Sequence, residues 1–75
     1  MSTNIILGEK LKAAREAANI SEEDLSRSAT ISKKQLQQIE EGGDNSFYSA
    51  TIKLIAAKKV AKILKLHESD FLRSE

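Results

Sequence analysis

The segment EEDLSRSATISKKQLQQIEE, running from Glu22 to Glu41, decides how this chain folds. Leu25 and Ala29 stand four residues apart, and Leu36 and Ile39 stand three apart, the spacings at which side chains meet on one face of a helix. Ile31 lies between the two pairs, where it can plug a tight corner. Ser26 is small at the point where the second helix must approach closely. Ser21 and Ser32 each precede a helical run, so each hydroxyl is placed to accept a hydrogen bond from an unpaired N–H of the first turn. The segment predicts a helix ending near Ala29, a corner, and a helix from Lys33 to Glu41. Gly42 and Gly43 follow as a stop, because glycine takes positive φ without a steric penalty.

Upstream, Leu7, Leu11, Ala14 and Ala18 step by four, three and four, predicting a first helix between Ile5 and Asn19 with one buried stripe. Lys10, Lys12, Arg15 and Glu16 fall mostly on other faces. Asn19 closes that helix and Ile20 staples the next one. Ser21 caps the second helix ahead of Glu22, Glu23 and Asp24, three acids suited to the positive end of its dipole.

Downstream, Asp44, Asn45 and Ser46 continue as a polar loop, and Phe47 is expected to anchor it on the core beside Tyr48. From Ser49 to Leu66, residues Ile52, Ile55, Ala56, Val60, Ile63 and Leu64 recur at helical spacing, with Lys58, Lys62 and Lys65 on another face. The isoleucines and Val60 are expected to face the other helices, which leaves no apolar face for lipid. After His67, Glu68-Ser69-Asp70 leads Phe71 and Leu72 into a last short turn. Arg73-Ser74-Glu75 reads as the start of a polar linker, which leaves two readings of the chain, a whole protein or the N-terminal piece of a longer one.

The 75 residues make a single domain, 1–75, all-α, with about five helices. There is no proline and no cysteine, and Ala, Leu, Ile, Lys and Glu favour helix over strand, so no sheet is expected. A chain without cysteine has neither disulfides nor thiolate metal sites, which suits the cytoplasm. Lysines break the apolar stretches well short of the roughly 20 residues that cross a bilayer, and Met1 to Leu7 shows no leader pattern. The formal charge of +1 is no overall signal for a polyanion, so the placement of charge has to carry any inference about partners. It is uneven: Thr51 to Leu66 contains lysines and no acids.

With its helices in this order, the sequence resembles the helix-turn-helix domains of the lambda-repressor-like superfamily, including the Cro/XRE group. LGEKLKAAREAANIS, EEDLSRSATISKKQLQQIEEG and VAKILKLHESDFL carry the resemblance, in order and at the right separations, over nearly the whole chain. It implies a bundle whose third helix enters the major groove of double-stranded DNA. Carried over, Lys33 and Lys34 reach base edges and phosphates, while Gln37 and Gln38 lie one turn further along, where polar side chains read bases. Ser32 and Gln35 complete the expected DNA-facing set. The chemistry is compatible: lysine donates to guanine O6 and N7, and glutamine pairs with adenine N6 and N7. A homodimer is expected, since one recognition helix offers few base contacts.

The chain departs from the family pattern in three places. Glu22 replaces a glutamine that commonly faces phosphate. Thr30 replaces the corner glycine, and a β-branched residue resists positive φ. The loop and fourth helix are also longer than in minimal phage repressors. The extension is similar to RodZ-like membrane-anchored scaffolds, which use this fold to hold a bacterial cytoskeletal protein, and that is the alternative reading. No enzymatic activity and no cofactor are expected. His67 has no companions for a metal, and adjacent Glu40 and Glu41 point apart.

Overall fold

The computed structural model describes residues 4–74. Five helices, α1 (Gly8–Ala17), α2 (Glu22–Ser28), α3 (Lys33–Glu41), α4 (Ala50–Ile63) and α5 (Glu68–Phe71), lie between two short strands, β1 (Asn4–Ile6) and β2 (Leu72–Ser74). The fold is essentially all-α, as the composition implies.

Three helices end by one device. Asn19, Thr30 and Lys65 have φ of 61°, 58° and 61°. The residue after each then donates its N–H back into the helix: Ile20 to Arg15 O at 3.1 Å, Ile31 to Ser26 O at 2.9 Å and Leu66 to Ala61 O at 2.9 Å. This Schellman closure satisfies the last carbonyls and turns the chain sharply. Ile20, Ile31 and Leu66 are half-buried and pack on the core, so each corner is also pinned by an apolar side chain. The next residue, Ser21, Ser32 or His67, is the N-cap of the following helix.

The corners fold the helices around Leu11, Leu25, Leu36, Val60 and Phe71, all buried, with Ala29, Ile39, Ala56, Ala57 and Ala61 filling the space between them. Phe47 and Leu64 pack at the margin, so Phe47 does hold the loop between α3 and α4 to the core. Gly8 marks a close approach between α1 and α3. A Cβ there would collide with the backbone carbonyl oxygens of Ile39 and Glu40, so only glycine lets the start of α1 reach the end of α3.

Several expectations are corrected. The first helix begins at Gly8 rather than Ile5 and ends at Ala17, while Asn19, in the left-handed conformation, closes it as expected. Ile5 and Ile6 lie in β1, which pairs antiparallel with β2 in the register Ile5↔Arg73 and Ile6↔Leu72. A small sheet therefore exists where none was expected. The two ends of the described chain meet beside α1 and α5 and satisfy each other's backbone groups, and Leu7 N–H donates to Phe71 O at 2.7 Å. Arg73 and Ser74 are thus strand rather than linker, and Glu75 lies outside the described residues. Ala18, the C-cap of α1, is exposed and Arg15 is buried, the reverse of the expected faces. On α4, Ala56 and Val60 face inward, but Ile52, Ile55 and Ile63 are exposed. The inward arc of that helix is occupied by alanines and Val60, and their small volume leaves the isoleucines outside.

Candidate nucleic-acid interface

The corner between α2 and α3 is built by local hydrogen bonds and rests on buried side chains. Thr30 N–H donates to Arg27 O at 3.2 Å and Ile31 N–H to Ser26 O at 2.9 Å, which end α2. Ser26 is buried, and its hydroxyl donates to Glu23 O at 3.0 Å, so a polar side chain at the tight approach has its partner. Ser32 then starts α3 with a reciprocal capping box: its Oγ accepts from Gln35 N–H at 3.0 Å, and Gln35 Oε1 accepts from Ser32 N–H at 3.0 Å. Thr30 takes the positive φ in place of glycine, so the corner keeps its ordinary shape and absorbs the strain of a β-branched residue.

Leu36, Ile39 and Glu40 form the inward face of α3. Glu40 meets Arg15 of α1: Nε donates to Oε2 at 2.8 Å and Nη2 to Oε1 at 3.3 Å, while Nη1 donates to Ile20 O at 3.0 Å. One guanidinium thus joins α1, the first corner and α3. The Arg15 pKa is raised above its ordinary value. The hydrogen bond to Glu40 is the main cause, opposed by burial and reinforced by the charges of Glu40, Glu22 and Glu16. Glu22 is half-buried, and its charge adds a minor part of the upward shift at Arg15.

The residues expected to face DNA divide into two groups. Ser32, Lys33, Lys34 and Gln37 are exposed, and among the described residues neither lysine is in an ion pair. Gln35 and Gln38 are half-buried and hold the loop that follows α3. Gln35 Nε2 donates to Ser46 O at 3.0 Å, and Gln38 Oε1 accepts from Ser46 N–H at 3.0 Å. The two amides therefore grip both backbone polar groups of one loop residue. Lys53 secures the same loop further back, donating to Gly43 O at 2.8 Å and Asp44 Oδ1 at 3.0 Å. Gly42 and Gly43, at φ of 108° and 110°, let the loop leave α3 in a conformation closed to other residues.

The outer face of α3 therefore presents Lys33, Lys34 and Gln37 with exposed Glu41 at its far end, on a mount with caps at its start, an ion pair beneath its end and a fixed loop along its side. Sequence reasoning missed Arg15, Glu40, Gly8 and Lys53. Arg15 stands four residues after Leu11, so it shares the buried stripe, and that spacing was the available signal.

This geometry is that of a helix-turn-helix domain. The model of the family described as helix-turn-helix domain matches residues 8–75, and the chain belongs to that family, whose members generally bind DNA. The arrangement is consistent with the Cro/XRE-like form. Among curated proteins, none matches the chain. No helix among the described residues is long and apolar enough to cross a membrane.

Proposed function

We propose that this domain binds double-stranded DNA sequence-specifically, as the reading module of a prokaryotic or phage transcriptional regulator acting in the cytoplasm, with α3 in the major groove. The observation that carries the reading is the exposure of Lys33, Lys34 and Gln37 on a helix whose other faces are fixed by Ser32, Leu36, Ile39 and Glu40. The lysines supply the part of the affinity that comes from releasing counterions. Gln37 is the side chain best placed to discriminate, because Gln35 and Gln38 already hold Ser46. A second copy of the domain, on a neighbouring half-site, adds the contacts that one short helix cannot make.

Binding to a selected operator library, measured by anisotropy at two salt concentrations, tests this. Replacing both lysines, Lys33→Ala with Lys34→Ala, weakens binding to all sequences and lowers the salt slope by about 1.8, roughly 0.9 for each phosphate left without its ammonium group. Gln37→Ala relaxes selectivity at one base pair, by about 1–3 kcal/mol, with the salt slope kept. Unchanged affinity in the double lysine variant removes the proposal.

A further inference from the structure

Helix α4 carries apolar side chains on two sides, and the bundle covers one of them fully and the other only in part. Ala56, Ala57, Val60 and Ala61 are buried, whereas Ile52, Ile55 and Ile63 are 44%, 50% and 37% exposed. At the turn angle of an α-helix, Ile52, Ile55, Lys59, Lys62 and Ile63 fall within an arc of about 100° on the outer side. Isoleucine is a mediocre helix former with a restricted side chain, so three of them left between a third and a half exposed gain no propensity and only part of their burial. Lysines accompany them, and no acid occurs between Thr51 and Leu66. Lys58, at the flank, already meets Glu68 at 3.7 Å, while Lys59 and Lys62 are exposed and in no ion pair among the described residues.

We propose that the Ile52–Ile63 face of α4 is a docking surface for an acidic amphipathic helix of a partner protein. Charge selects this occupant over the others. Lys59 stands one turn after Ile55 and one turn before Ile63, so a hydrocarbon phase covering all three isoleucines would submerge its ammonium group. A second copy of α4 laid antiparallel would bring two lysine-bearing faces into one contact, and α4 has no carboxylate to offset their charge. A partner helix with apolar residues at i, i+4 and i+7 and carboxylates beside them covers the isoleucines and neutralises both ammonium groups. The contact spans about 16 Å, three turns of helix. The surface lies on α4 alone and does not depend on DNA binding by α3.

The probe is a synthetic peptide of about 18 residues with leucines at those spacings and glutamates on the flanks, titrated into the full chain carrying labelled isoleucine methyls. Shifts at Ile52, Ile55 and Ile63, with Ile31 and Ile39 unmoved, are the expected result. Lys59→Glu with Lys62→Glu, both at exposed positions, weakens binding at least about tenfold, and a peptide with lysines in place of the glutamates restores it. Three outcomes overturn the proposal. One is no shift at these methyls with about 1 mM acidic peptide. Another is a shift with vesicles of phosphatidylglycerol but none with the peptide. The third is a shift with protein concentration alone that the same two substitutions abolish.

Discussion

Arg15 and Glu40, 25 residues apart, form a buried two-point ion pair that joins the first helix to the end of the third. Both are among the most buried charged residues of the chain, and a third bond from Arg15 reaches the carbonyl of Ile20. The pair fixes the angle at which α3 is held. Removing one partner leaves the other charge buried and unpaired. Glu40→Ala is therefore expected to cost about 3–5 kcal/mol in urea unfolding. Arg15→Lys, which keeps the charge and loses the fork, should be intermediate. Replacing both residues with apolar ones of similar volume should cost less than either deletion alone. If it costs the sum of the two, the residues act independently.

Gly8→Ala is expected to destabilise the domain by about 2 kcal/mol, since its new methyl meets carbonyl oxygens of the α3 backbone that cannot swing aside. Helix propensity alone favours alanine by about 1 kcal/mol, so the sign of the change separates close packing from propensity. A rise in the urea midpoint would show that α1 and α3 have room to part.

Thr30 is strained, and its side chain is exposed, so relieving it loses little packing. Thr30→Asn should stabilise by up to about 1 kcal/mol, because asparagine tolerates the left-handed region better. Thr30→Gly should gain less, as glycine gives back about 0.5–1 kcal/mol through the freer unfolded chain. Thermal unfolding resolves this, at about 4–8 °C per kcal/mol in a domain of this size.

Gln38→Ala removes the acceptor for Ser46 N–H and should lower stability by about 1 kcal/mol. Its local signature is sharper: amide exchange at Ser46 accelerates while that at Leu25 and Leu36 follows only the global change. Equal acceleration throughout would mean the loop is held by Phe47 and Lys53 alone.

The corner from Ser21 to Ser32 and the span of α3 were legible because every bond that makes them lies within a few residues. A cap reaches three residues ahead, and a Schellman closure reaches five back. Such interactions are written into consecutive side chains, so reading EEDLSRSATISKKQLQQIEE in order yields the same helix, turn and helix that the folded chain contains. The exposure of Lys33, Lys34 and Gln37 follows from that register. The fold class and the family followed too, since periodicity and caps recur along most of the chain.

Periodicity names the faces of a helix but does not say which face meets which neighbour. Arg15 shares a stripe with Leu11, yet only the approach of Glu40 makes its burial favourable. The isoleucines of α4 repeat as a core face would, but the bundle closed over the alanines and Val60 instead. Three-residue strands are too short to show alternation, and β1 forms only because Leu72–Ser74 is brought alongside it. What the chain determined by itself was each local bend and cap, where partners are neighbours in sequence. The tertiary structure alone decided which charges pair, which glutamines hold the loop and which apolar face stays uncovered, because those depend on surfaces that meet only after the helices have packed.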